Sequence, residues 1–295
     1  NTNTVSGSIT TSGQFGYGIY NEGDTNKTTM SGSIKTSEKY ARGIYNMGDT
    51  NTNTVTVSGT ITTSEEGAFG ILNNGDTNST TMSGSIETNG ASTNGIWNYG
   101  ASNTTTMSGS IETTGASSNG ISNSNVDNNS TNNKTTMSGS ITTTEGNSHG
   151  IANIGNTNIT IVSGSISTSG GTGETGSAGV ANSGDTNETT ITSTGSITRS
   201  GANGGGVVNV GHSNIVKLYG NITLASKDYA HAIINQGGSN KTTIFSEGTI
   251  TSSGKWGYGV YNLQGNSNTT TMSGSITTSG ESAYGIYNLG NTNTT

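Results

Sequence analysis

A motif that returns about every 25 residues restricts this chain more than any local preference does. The glycine of Ser-Gly-Ser-Ile and its close variants stands at Gly7, Gly32, Gly59, Gly84, Gly109, Gly139, Gly164, Gly195, Gly220, Gly248 and Gly274, and the commonest interval is 25 residues. A second anchor, Gly-Ile-Tyr-Asn in its fullest form, follows at Gly18 to Asn21, Gly43 to Asn46 and Gly285 to Asn288. The two anchors lie 11 residues apart in nine of the eleven repeats, and the return to the next first anchor usually takes 14. Self-similarity at such a period marks a solenoid, in which one repeat cannot bury its apolar face alone and stacking neighbours supply the core.

Three segments per repeat read as strands: Thr28-Thr29-Met30-Ser31, Ser33-Ile34-Lys35-Thr36 and Gly18-Ile19-Tyr20-Asn21, rich in Thr, Ile and Tyr and bounded by Gly or Asn. No segment carries a 3.6-residue apolar period, so helices are not expected. Alternation puts Thr28, Met30, Ile34, Ile19 and Asn21 inward and Thr29, Ser31, Ser33 and Tyr20 outward. Stacking then lines up three aliphatic rows. One is Ile in all eleven repeats, from Ile9 and Ile34 to Ile276; another runs from Ile19 to Ile286 as Ile or Val; the third mixes Met30, Met82, Met107, Met137 and Met272 with Val and Leu. The expected fold is all-β: a right-handed parallel β-helix, or β-solenoid, of about eleven coils of ~25 residues with three short strands each. Residues 1–295 form a single array in this reading, and because the sequence enters and leaves within a repeat, a stretch of a longer repeat protein is expected.

Composition sets the classes to leave aside. Only 26% of residues are hydrophobic and 9% charged, with 48 Gly and neither Pro nor Cys. That is too little apolar material for a conventional globular core, while the fixed spacing of Ile and Val argues against disorder. A net charge of −7 with scattered Lys and Arg gives no basic stripe for a phosphate backbone, so nucleic acid is not an expected partner. No apolar run reaches the ~18 residues of a membrane span, and without cysteine there is no disulfide framework or thiolate metal site.

The most constant polar position lies two residues beyond the second-anchor Ile or Val: Asn21, Asn46, Asn73, Asn98, Asn123, Asn153, Asn182, Asn209, Asn235, Asn262 and Asn288. A carboxamide both donates and accepts, so stacked Asn side chains suit a structural ladder along the axis. A second Asn row is expected in the Asn-x-Gly-Asp-Thr-Asn turn, at Asn26, Asn51, Asn78, Asn158, Asn187 and Asn293. The turn aspartates Asp24, Asp49, Asp76 and Asp185 could bind calcium in a repeat built for it, but Ala101, Asn156, His212, Gly238 and Asn291 fill equivalent places, which favours turn capping.

Catalytic groupings are sparse. Glu87 and Glu112 occupy equivalent outward positions about 5 Å apart, a spacing that would suit a retaining glycosidase, yet Lys35, Thr62, Thr142 and Ser167 surround them in neighbouring coils. His149 and His231 stand coils apart and complete neither a metal site nor a triad. No cofactor, metal or catalytic residue is therefore assigned. Aromatic residues after the second-anchor Ile or Val (Tyr20, Tyr45, Trp97, Tyr261, Tyr287) gather toward both ends and could stack on sugars or on another chain. Two insertions, within 122–133 and 167–176, are the expected contact loops, with Asn125, Asp127, Gly171 and Glu174 as candidates.

The Gly-, Thr-, Ser- and Asn-rich coils carrying Ser-Gly-Ser-Ile-Thr-Thr and Gly-Ile-Tyr-Asn-x-Gly resemble the passenger domains of Gram-negative autotransporters and related large repeat adhesins, over essentially the whole chain. The resemblance implies secretion to the cell surface and a non-catalytic role as stalk, adhesin or filament. Partners would be further copies of the chain, end to end or side by side, or glycans and proteins of a host or neighbouring cell. Two other readings are weighed beside it. Ice binding would use the outward Thr-x-Ser pairs at Thr4, Thr29, Thr56, Thr81, Thr106 and Thr136, and a polysaccharide-degrading β-helix enzyme would use Glu87 and Glu112.

Overall fold

In the computed structural model the chain is a parallel β-solenoid, with no helix among the described residues; the structure describes residues 1–48, 53–124, 131–171, 176–225, 228–263 and 265–295. The first coil shows the plan. Strand β1 (Thr2–Val5) leads through the two-residue corner Ser6-Gly7 to β2 (Ser8–Thr11), and a longer turn leads to β3 (Tyr17–Glu22). Each strand pairs in parallel with its counterpart one coil on, giving three eleven-stranded sheets that run from coil one to coil eleven. The eleven coils span about 50 Å at the ~4.8 Å separation of hydrogen-bonded strands.

Alternation explains the interior. In the Lys27–Met30 strand Thr28 and Met30 are buried while Lys27 is exposed, and in Ser33–Thr36 Ile34 and Thr36 are buried. The three expected aliphatic rows form one continuous core through the array, except that Met272 in the last coil, with no further coil to cover it, is 47% exposed. Two inward rows are hydroxylic. One carries Thr28, Thr80, Thr105, Thr135, Thr160, Thr189 and Thr242, with Val55 and Val216 taking the place in two coils; the other carries Thr36, Thr63, Thr88, Thr113, Thr143 and Thr168, and then Arg199 and Leu224. Threonine works here because it fills space beside the aliphatic rows and still carries a hydroxyl for the turns. Thr63, Thr113 and Thr143 each donate their Oγ1 to a carbonyl of the following turn, Ala68, Ser118 and Ser148, at 3.1–3.2 Å.

The first corner depends on glycine for close approach. A Cβ built on Gly109 would lie 1.9 Å from the Gly84 carbonyl oxygen, whereas one on Gly7, in the first coil, would meet nothing within 4 Å. The turns between the third and first sheets hold a left-handed residue coil after coil, including β-branched Thr77, Thr157 and Thr186 at φ of 57–60°. Asparagine tolerates that region better than threonine, so Thr157→Asn is expected to raise the urea midpoint, equivalent to about 0.5–1 kcal/mol.

Candidate functional site

The ladder Asn side chains form a single hydrogen-bonded chain. From Asn21 to Asn288, each Nδ2 donates to the Oδ1 of the Asn one coil on, in ten consecutive bonds of 2.6–2.9 Å. All ten donor Asn residues, Asn21 to Asn262, are buried. The second Nδ2 hydrogen goes to a hydroxyl of the inward Thr row, as from Asn21 to Thr28, Asn73 to Thr80 and Asn153 to Thr160 at 2.8–2.9 Å. Among the described residues Asn46 and Asn209 bond only along the ladder, and in the strands that follow them the row holds Val55 and Val216 in place of Thr. The bonds all run in one sense, so the amide dipoles add along the axis and polarise one another.

The second Asn row differs from its expected membership. Asn53, not Asn51, takes the place in the third coil, where its Oδ1 accepts the Asn26 amide at 2.8 Å; Asn51, like Asp49, lies outside the described residues. Register there is fixed by the strand that follows, Thr54–Val57. The row also includes Asn103, Asn133, Asn214, Asn240 and Asn268, each accepting the backbone amide of the previous Asn at 2.8–2.9 Å. Asp76 and Asp185 accept the amides of Ala101 and His212 at 2.6 and 2.7 Å, so both work as turn caps. No group of three or more His, Asp or Glu side chains that could hold a metal ion exists among the described residues.

Of the candidate contact-loop residues, Asn125, Asp127 and Glu174 lie outside the described residues. Gly171 packs against the next coil, where a Cβ would come within 1.9 Å of the Ala202 carbonyl oxygen. Glu87 and Glu112 are directly paired in register on neighbouring strands, and Glu87 accepts a bond from Asn89 at 2.9 Å.

The histidines have a role that spacing did not suggest. His149 Nδ1 accepts the Ala178 amide at 3.0 Å and His231 Nδ1 the Tyr258 amide at 3.1 Å. In coils four and five Asn94 and Asn119 do the same with their Oδ1, for the amides of Asn119 and His149 at 2.9 Å. Only a neutral imidazole can accept at Nδ1. Burial pushes both histidines down to about 4 from the ordinary 6.5, with the Arg199 guanidinium adding to the effect on His149. A depressed histidine favours the folded state fully above about pH 6.5, and that advantage is lost as pH falls toward 4. For His231 alone the loss amounts to about 3 kcal/mol. Urea midpoints at pH 7.5 and pH 4.5 are expected to differ less in a His149→Asn, His231→Asn variant, which keeps both acceptors without the titration, than in the native chain.

Arg199 is fully buried in the hydroxylic row of the second sheet. Its guanidinium donates to the carbonyls of Gly170 at 3.0 Å and Ala202 at 2.8 Å, and to Asn203, doing for this turn what Thr does in other coils. Burial lowers it to about 10, so it remains a cation at neutral pH.

The outer faces differ in chemistry. Two groups of aromatic residues lie on and beside the third sheet, apart from the pairs Phe15–Tyr40, Tyr219–Phe245 and Tyr229–Trp256 elsewhere. In coils one to four the rings of Tyr17, Tyr20 and Tyr45 lie 5.4 Å apart pairwise, and Phe69 meets Trp97 edge-on at 4.9 Å. Toward the far end His231 stacks on Tyr258 at 4.6 Å, and Tyr258 and Tyr261 join Tyr284 and Tyr287 at 5.0–5.5 Å. Between the groups the outward row is small: Ser122, Ala152 and Ala181. Arg42 lies among the first group, its guanidinium carbon 4.7 Å from the centre of the Tyr45 ring and 5.4 Å from that of Tyr17, and Nη1 donates to the Tyr17 hydroxyl at 3.0 Å.

No protein-family model, no curated protein and no solved structure matches this chain.

Proposed function

We propose that this chain is a non-catalytic structural repeat of an extracellular or cell-surface protein, serving as a stalk or adhesin segment or as a filament subunit. The observation that carries the proposal is the unbroken Asn chain: ten consecutive amide bonds, nine of them buried, join coil one to coil eleven without a break. Such construction favours axial stiffness and length, because every coil repeats the same bonds to its neighbours. The outer faces of the first and second sheets are mostly hydroxyl, which suits a solvated rod, and the Gly-, Thr-, Ser- and Asn-rich coils resemble surface passenger domains in this respect. Negative-stain microscopy of the native protein tests the reading. Straight rods ending at the cell surface support the stalk, long uniform fibres support the filament, and compact particles would overturn both.

One observation favours ice binding as a second reading, on a different face from that expected. The first sheet's outer face is interrupted by Lys27, Lys134, Ile159 and Lys217. On the second sheet, coils six to eleven present three outward columns, starting at Ser140, Thr142 and Thr144 and ending at Ser275, Thr277 and Ser279. Only Asn221 and Ala225 are not hydroxylic among these eighteen positions, and none is charged. An ice-shaping and thermal-hysteresis measurement at high protein concentration decides it; unshaped crystals would remove this reading.

A further inference from the structure

We infer that the first aromatic group on the third sheet is a binding site for an acidic glycan, with Arg42 as the carboxylate-binding residue. This rests on the surface-adhesin reading and names its ligand class. The group spans about four coils by three residue steps, or roughly 200 Å². A stable protein partner needs about 800 Å² on each side, so the patch is sized for a few sugar units. Its chemistry agrees. Tyr45 is tilted by 47–50° to Tyr17 and Tyr20, so the three rings do not close into a face-to-face stack, and Tyr20 remains 44% exposed. Tyrosine combines an apolar face with a hydroxyl, which is the surface a pyranose ring requires.

Charge selects the acid. The ion pairs among the described residues join Lys39 to Glu66, Lys217 to Glu188 and Lys255 to Glu281, and leave Arg42 without a carboxylate. One Nη1 hydrogen is taken by the Tyr17 hydroxyl and Nε is buried, which leaves the remaining Nη1 and Nη2 hydrogens, at the end of the guanidinium, for a carboxylate. The one anion facing this group from the third sheet is Glu22, whose Oε2 accepts from the Tyr20 hydroxyl at 3.3 Å. It would oppose an acidic ligand, which gives the proposal a variant that should bind more tightly than the native chain.

Titration calorimetry on the folded chain would use two tetrasaccharides, one alternating glucuronate with N-acetylglucosamine and a neutral one of N-acetylglucosamine alone. The acidic probe is expected to bind at least tenfold more tightly than the neutral one. Arg42→Gln should lose that preference, Tyr20→Ala should weaken binding, and Glu22→Gln should bind the acidic probe a few-fold more tightly, with added salt weakening all of these. Equal binding of both probes, no binding of either, or an unchanged affinity in both Arg42→Gln and Glu22→Gln would overturn the site. So would dimerisation of the native chain in sedimentation that Tyr20→Ala abolishes, because the occupant would then be a second copy. Rods in microscopy without glycan binding sink this inference alone, whereas compact particles sink the adhesin reading itself.

Discussion

Asn153→Leu is expected to cost roughly 3–6 kcal/mol, seen as a large fall in the urea midpoint. The substitution is close in volume, so the loss comes from hydrogen bonds rather than a cavity. Three buried groups lose a partner: Asn123 Nδ2 loses its 2.7 Å acceptor, Asn182 Oδ1 loses its donor, and the Thr160 hydroxyl loses the amide that donates to it. Each stranded buried group costs about 1–3 kcal/mol. The neighbouring hydroxyl provides the contrast. Thr160→Val removes only the lateral bond, and the chain already carries Val55 and Val216 at that place, so a loss under about 1.5 kcal/mol is expected. A comparable loss in both variants would mean that the Asn chain carries no special share of the stability.

The second large effect is steric. Gly109→Ala is expected to destabilise by roughly 3 kcal/mol or more, because the new methyl would sit 1.9 Å from the Gly84 carbonyl oxygen and 2.7 Å from the Ser83 carbonyl carbon. Both atoms belong to the backbone of the coil before, so relief requires the coils to separate at that corner. Gly7→Ala is the matched control, with nothing within 4 Å of the added atom, and should leave the midpoint nearly unchanged. Thermal or urea melts of the pair separate stacking contact from the general cost of changing a glycine.

These contrasts also show which features a single sequence makes visible. The first Asn ladder could be read directly, since one polar residue held a fixed phase in all eleven repeats, and a buried chain of amides leaves no room for another residue type. The second ladder was read only where a Gly-Asp-Thr or Gly-Asn-Thr turn precedes it. Asn103, Asn133, Asn214, Asn240 and Asn268 follow turns of other composition, and the Thr-Asn-Thr-Asn run before Val55 offered two candidates that only strand pairing resolves. Arg199 was hidden by its chemistry: arginine normally faces solvent, and its inward place follows from the parity of Ile197 on the same strand. The histidines were hidden for a different reason. Their work is to accept a backbone amide from the next coil, and no side-chain spacing reports such a bond.

The central claim is that the coil is an interchangeable module of length, dependent on its neighbours and joined to them by the same ladders wherever it stands. The most direct test inserts four further copies of the 25-residue coil Ser79–Asn103 immediately after Asn103 and measures the rod length by small-angle scattering. The predicted result is a rod longer by ~19 Å, four rises of ~4.8 Å, with a urea midpoint no lower than that of the native chain. An unchanged length, or a protein that unfolds more readily with each added copy, would contradict it.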